Sequence, residues 1–351
     1  MPPSPADRPK RRVRYAGKNP RRFAEKYKER DPLKYPDAVQ KVLESGKTPA
    51  GTHRPICVAE ILEMLAPRAG ETAVDATLGY GGHAAELLPI LLPGGRLIAL
   101  DVDPLELPKA EARLRAGGIP DEALTVCHSN FAGLPRVLAR LGVAGADMVL
   151  ADLGCSSMQF DDPERGFSFK HDGPLDLRMN PNKGQPASAW LARVDEARLA
   201  RVLTENADEP QAAVIAHALV QARARRPIET TRALRDAVGG ALQSPAPGAQ
   251  RVDEMLTLRR VFQALRIEIN DEFSALETFL RFLPGCLNAG ARVAVLAFHS
   301  GEDRRVKRAF LEGHRAGVYA RIAEEVIRPS AEEQRANPRS ASAKLRWAVR
   351  A

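Results

Sequence analysis

Two carboxylates that flank a run of glycines carry the clearest chemistry in this sequence. Asp75 closes a short apolar run and Gly79, Gly81 and Gly82 follow it. A helix-like segment from Ala84 to Leu92 comes next, and a second apolar run, RLIAL, ends in Asp101. A β-loop-α-β unit with an acid about 20 positions past its loop sets a carboxylate where it can grip a ribose diol. The glycines let the backbone turn sharply and lie against a nucleoside. The loop reads GxGGH rather than GxGxxG, and Ala84 and Ala85 stand where a third glycine would bring the helix against a pyrophosphate. A nucleoside cofactor without phosphates fits such a loop, and S-adenosylmethionine (SAM) is the expected one. Phe131, just past the third apolar run, sits where an adenine ring packs in such folds.

A second constellation begins at Asp152, the end of the fourth apolar run. In these folds the acceptor substrate meets the methyl group there, so Asp152 is read as touching the cofactor's amino-acid portion or the target amine. Asp176 is the second candidate acceptor. Arg165, Phe167, Phe169 and Arg178 lie in the loop that follows and offer cations and rings for a flipped base and its phosphates. A rival route attaches to Cys155, three residues past Asp152, where a thiol could attack a pyrimidine ring. Gly154 stands where that chemistry has a proline, and an inert buried cysteine is the plainer reading. His299 ends the fifth strand on the crevice side. Ser300 and Asp303 read as a helix N-cap and its partner, so no serine–histidine nucleophile is invoked.

The elements that must position these residues follow from periodicity. ICVAEILEMLA is an amphipathic helix. ALTVCHSNF and ADMVLADLG are the third and fourth strands, ARVAVLAFHS the fifth, and SAKLRWAVRA an antiparallel closing strand. Strands alternating with helices predict a doubly wound sheet with ligands at the strands' carboxyl ends. Residues 155–185 are rich in Gly, Pro, Asp and Arg with little periodicity, too long for a plain connection. Beyond them the pattern turns helical, with Thr230 as an N-cap. The clearest stripe runs through 253–283 (Met255, Leu258, Phe262, Leu265, Ile269, Leu276, Leu280, Leu283) and is expected in the core. The chain therefore divides into a basic arm (1–50), a sheet domain (51–184 with 276–351) and an inserted helical substrate-recognition domain (185–275).

Charge points to the partner. The net charge of +8 resides in the arm, where residues 1–50 hold 14 Lys/Arg against 6 Asp/Glu, leaving 38 of each in the remainder. With Tyr15, Phe23 and Tyr27 interleaved, such an arm suits phosphate contacts and base stacking. No apolar run reaches the ~20 residues of a membrane span, and no h-region follows the charges. The four cysteines show neither a disulfide framework nor zinc spacing, as in a reducing cytosol. No metal is expected, and monomer or homodimer stays open.

Longer motifs carry a resemblance. GGH at 81–83, DxDP at 101–104, DLGxSSxQxDDxERGFSFxxDGPLDxRM at 152–179, FQALRIxxN at 262–270, FHSxEDRxVK at 298–307 and NPRxxSAKLR at 337–346 resemble the RsmH/MraW family of ribosomal RNA methyltransferases. The resemblance implies a class I SAM-dependent methyltransferase, Rossmann-like with a mostly parallel seven-strand sheet. It also implies methylation of the N4 amine of a cytidine in small-subunit rRNA, in the cytoplasm. By the same resemblance Gly81, Gly82, His83, Asp101, Phe131, Asp152 and Gln159 hold SAM, while Arg165, Phe167, Arg178, Arg260 and His299 face the RNA. The family's Val-Ser-Ser-Pro is Cys155-Ser156-Ser157-Met158 here, and the arm is extra to the pattern. A paralogue acting on another RNA nucleotide and a non-catalytic RNA-binding assembly factor remain as alternatives.

Overall fold

Short apolar runs alternating with helices build a parallel sheet. β1 (Thr72–Asp75), β2 (Arg96–Asp101), β3 (Leu124–His128), β4 (Ala146–Asp152) and β5 (Leu287–Ala297) pair in parallel. β6 (Tyr319–Ile322) and β7 (Lys344–Arg350) complete it, with β7 antiparallel to both of its neighbours. This computed structural model describes residues 55–242 and 253–351, so the expected arm at 1–50 lies outside the described residues. The strand order β3-β2-β1-β4-β5-β7-β6 is that of a class I SAM-dependent methyltransferase. Strand order reverses between β1 and β4, and that switch point opens a crevice beyond their carboxyl ends.

Period-two alternation divides the strand residues between two cores. Val74, Ile98, Leu100, Val149, Ala151, Val293 and Val295 join one apolar cluster. Ala73, Leu97, Ala99, Met148, Leu150, Ala294 and Leu296 join the opposite one. Helices α1 (Val58–Leu65), α2 (Gly82–Leu91) and α3 (Leu107–Ala116) contribute to the second cluster, while α4 (Leu134–Arg140) covers the first. β6 escapes sequence reading because its four residues alternate for barely one period, with only Tyr319 buried.

After the one-turn helix α5 (Ser157–Asp161), the excursion between β4 and β5 forms a third cluster. Helices α6 (Ala187–Leu191), α7 (Glu196–Ala207), α8 (Ala212–Arg225), α9 (Thr231–Leu242) and α10 (Glu254–Asn270) pack through Trp190, Leu203, Ile215, Leu234 and Leu265. The Thr230 hydroxyl accepts the Ala233 N–H at 3.1 Å, capping α9 as its sequence suggests.

The stripe expected through 253–283 is two helices. α10 stops at Asp271, whose φ of 52° is left-handed, and α11 (Glu272–Phe282) restarts at once. Leu258, Phe262 and Leu265 serve the helical cluster, whereas Leu276, Leu280 and Leu283 serve the sheet. Met255 is no core residue; it is 48% exposed. At the same corner Asn270 stitches the excursion shut, accepting the Met179 N–H at 2.7 Å and donating to the Leu177 carbonyl at 2.7 Å.

α12 (Ser300–Arg315) follows β5 and corrects the expected cap. His299 is the N-cap, its Nδ1 accepting the Glu302 N–H. Ser300 instead donates to Asp208, and Asp303 pairs with Arg346 at 2.6 Å. The last helix is α13 (Ala331–Ala336).

Candidate active site

The carboxyl ends of β1, β2 and β4 bring Asp75, Asp101 and Asp152 to one crevice. The glycine turn locks onto Asp101, whose Oδ2 accepts the Gly79 N–H at 2.6 Å and whose Oδ1 accepts the Asp103 N–H at 2.8 Å. Gly79 and Gly81 have φ of 51° and 85°, a region in which a side chain is strained. Burial pushes the Asp101 carboxyl up, and the backbone donors oppose that only in part. The two backbone N–H groups fix the orientation of this carboxyl group at the end of β2. Phe131 follows β3, its ring edge-on to Phe279 at 5.4 Å.

His83 opens the first turn of α2 and is buried with its Nε2 3.5 Å from Asp152 Oδ2. At that distance the two attract without a well-aligned hydrogen bond, and both His83 Nε2 and Asp152 Oδ1 are buried polar atoms without a partner. The Asp152 N–H donates to the Thr77 hydroxyl at 2.6 Å, tying the end of β4 to the loop after β1. Burial would lower the His83 imidazole, but the Asp152 and Asp75 carboxylates carry it above its ordinary value. Asp75 is 2% exposed, and burial pushes its carboxyl up to about 7 against the pull of His83.

A stability prediction follows from this pair. Both groups hold protons in the folded state that the unfolded chain releases at lower pH. Stability from Asp75 is therefore complete below its unfolded value of 3.8 and is lost as pH rises through about 7. Urea unfolding at about pH 5.5 and about pH 8.5 should show a fall that Asp75→Asn blunts by roughly 1–3 kcal/mol. Identical pH profiles for the two proteins would contradict this account.

The loop after β4 is organised from beneath by Asp103, which is 1% exposed. Its Oδ2 accepts from Gln159 Nε2 and from Arg165 Nη1, each at 2.8 Å, and its Oδ1 accepts the Leu105 N–H. Gln159 also accepts the Ser156 N–H in a capping box, so both ends of its amide are engaged within the protein. Arg165 Nη2 donates to the carbonyls of Arg178 and Met179. The loop crosses itself so closely that a Cβ on Gly166, where φ is 72°, would overlap the Pro174 carbonyl.

The sequence-derived substrate residues are thus dispersed. Arg165 and Phe167 are inside, 7% and 3% exposed, and hold the loop rather than facing outward. Arg178 clamps both oxygens of Asp176, with contacts of 2.7 Å. Phe169 packs edge-on to Phe262. Arg260 stands on α10, 3.9 Å from buried Glu209, with 30% of its side chain exposed. The His299 ring lies against Phe273 and Glu302. Sequence reading missed Thr77 and the hub role of Asp103. The DxDP motif was visible, but an acid two residues past a strand reads as a turn former.

Cys155 Sγ sits 3.2 Å from Arg266 Nη1, and burial pushes the thiol up to about 11. Arg266 itself is paired with Glu272 at 2.8 Å. Cys57, Glu60 and Glu333 also come together, their ligand atoms within 4.8 Å of one another. Burial and both acids push the Cys57 thiol up to about 12. Among the described residues no helix is long and apolar enough to cross a membrane.

Comparison with known proteins gives this arrangement a family. "Ribosomal RNA small subunit methyltransferase H 1" of Lachnoclostridium phytofermentans is 50% identical over 343 residues, covering 97% of this chain and 93% of its own. "Ribosomal RNA small subunit methyltransferase H 2" of Alkaliphilus metalliredigens is 50% identical over 342 residues, covering 97% of each chain. Thioalkalivibrio sulfidiphilus has a "Ribosomal RNA small subunit methyltransferase H" that is 44% identical and covers 87% of this chain. The first two alignments leave only 3% of this chain uncovered, so most of the basic arm is shared with those relatives and is not an addition peculiar to this sequence. From residue 50 to residue 351 the sequence matches the MraW methylase family, and the chain belongs to that family.

Proposed function

We infer that this protein transfers a methyl group from SAM to the N4 amine of a cytidine in small-subunit ribosomal RNA. The relatives' names supply the substrate class. The observation that carries the chemistry is the pair of buried atoms without a hydrogen-bond partner, Asp152 Oδ1 and His83 Nε2, at the mouth of β4. They lie beside a glycine turn and a fixed Asp101 carboxylate suited to a nucleoside. SAM fits this set. Asp101 would hold its ribose, Phe131 would flank its adenine, and Gly81 and Gly82 would meet its amino-acid end.

When bound, SAM supplies an electrophilic methyl group on a sulfonium. The protein's task is the nucleophile, because the cytosine amine's lone pair is delocalised into the ring. An acceptor aimed at an amine N–H favours a pyramidal nitrogen and stabilises the charge that develops there. Asp152 Oδ1 is that acceptor. Asp176 is the weaker candidate because Arg178 already occupies both of its oxygens. His83 positions Asp152 and stabilises its charge from the far side. Holding amine and methyl in line supplies much of the remaining acceleration.

Residues 185–275 act as the substrate-recognition insert on a catalytic domain of 51–184 and 276–351, and the arm at 1–50 adds RNA contacts. Of the sequence-derived cations, Arg178 and Arg260 keep 18% and 30% of their side chains exposed and would meet the RNA. Arg165, Phe167 and Gln159 act from within by shaping the loop. A ribosomal RNA substrate supports a cytoplasmic location.

The test is transfer of labelled methyl from SAM to small-subunit rRNA, free or assembled, with nucleoside mass spectrometry. N4-methylcytidine is the expected product. Label on another nucleoside, or none from a folded protein, overturns the reading. The covalent alternative is tested separately. A thiol pushed up to about 11 stays protonated at neutral pH. Cys155→Ala should therefore retain transfer within about threefold, and complete loss would favour attack by the thiol.

A further inference from the structure

Helix α12 treats its charges unequally. Its first-turn acids are turned inward. Glu302 is 3% exposed and accepts the Phe298 N–H, and Asp303 is held by Arg346 and Lys344. Val306 and Phe310 fix the inner face to the sheet. The outer face presents Arg304, Lys307, Arg308, Leu311, Glu312 and Arg315 around one shallow, open hollow. Steps of four, three and four residues from Arg304 through Arg308 and Leu311 to Arg315 keep one stripe of the helix, ~16 Å long at 1.5 Å per residue. Arg304 is engaged by Asp208 at 3.0 Å. Lys307, Arg308 and Arg315 are exposed and enter no ion pair among the described residues. Glu312 is the one acid of the lining. The helix starts at His299, directly after β5, so its stripe leads away from the carboxyl edge of the sheet where the crevice opens.

Three cations without an ion pair on one helix face, with the helix's other acids taken inside, suit a polyanion whose charges repeat. Resting on the rRNA reading, we propose that the outer face of α12 is a track for the phosphate backbone of the RNA substrate, next to its target nucleotide. Lys307, Arg308 and Arg315 neutralise successive phosphates, and Arg304 joins them at the end nearer the crevice. Such contacts position the RNA without reading its bases, so they add affinity and register but no sequence preference.

Counterion release gives the measurement. The full chain is titrated with a small-subunit rRNA transcript over a range of KCl concentrations. It is compared with a Lys307→Ala/Arg308→Ala/Arg315→Ala variant. Each lost phosphate contact should flatten the slope of log K against log salt by about 0.7, so the triple variant should lose about two units of slope. At about 0.15 M salt that corresponds to binding weaker by tens of fold. The arm's contribution is common to both proteins and cancels. Binding of S-adenosylhomocysteine and the thermal midpoint should be unchanged, and Lys307→Arg/Arg308→Lys/Arg315→Lys should keep the wild-type slope. Glu312→Gln should tighten RNA binding.

A triple variant with the wild-type slope overturns the proposal. So does a variant that keeps the RNA slope but loses binding to phosphatidylserine vesicles, which would make the face a membrane contact. If the wild-type chain binds no rRNA at all, the functional reading itself falls, a different result from an unchanged slope.

Discussion

Replacing Asp152 by asparagine is expected to lower methyl transfer about 100-fold or more while leaving S-adenosylhomocysteine binding within about threefold, because one preorganised acceptor is typically worth that much. The substitution keeps the shape of the side chain. The bond to Thr77 uses the Asp152 backbone N–H, so the seam between β4 and the loop after β1 survives. What changes is the atom presented to the amine and the charge facing His83 across 3.5 Å. Single-turnover transfer from labelled SAM measures the rate, and calorimetry with the demethylated product checks that the site is intact. A rate within threefold of wild type would remove Asp152 from the mechanism.

Asp103→Ala should produce the largest loss of stability. It leaves the Arg165 guanidinium buried without its counter-ion and strips Gln159 Nε2 of its acceptor. Breaking a buried ion pair from one side costs about 3–5 kcal/mol. Urea unfolding should register that loss, and limited proteolysis should find the 155–185 loop newly accessible. Replacing both partners with apolar side chains, Asp103→Leu with Arg165→Met, should recover much of the stability, since the cost arises from the uncompensated charge. Equal destabilisation in the single and double variants would show that the pair is not the cause.

The strand ends that carry the proposed cofactor residues were legible because alternation shows where a strand stops. Asp75, the glycine turn and Asp101 must fall at strand ends one helix apart, and strand ends are what alternation reveals. The loop after Asp152 was legible as a functional segment but not in its orientation. No periodicity says which way Arg165 or Phe167 points, and an arginine among glycines looks outward by default. Only the fold reveals that a carboxylate two residues beyond β2 waits beneath it. The stripe through 253–283 located core residues, Met255 apart, but not the two cores they serve. A single left-handed residue, Asp271, breaks the helix while the apolar repeat continues past it, so one pattern serves two cores. His299 looks like the end of a strand because Ser300 beside it is the commoner cap, whereas the imidazole itself takes the free N–H of Glu302.

The Asn270 stitch has a consequence for how such a chain can diverge. By bonding to Met179, 91 residues earlier, it pinches the helical detour at its base, so that the detour hangs from the catalytic mouth as a closed ring. The entropy of closing a flexible ring grows only logarithmically with its length, about 0.6 kcal/mol per doubling. Helices far from the pinch can therefore lengthen, shorten or change sequence at little thermodynamic expense, while the geometry around Asp152 stays put. With the roles proposed above for the insert and for Asp152, target choice and catalysis are in this way free to evolve on separate clocks.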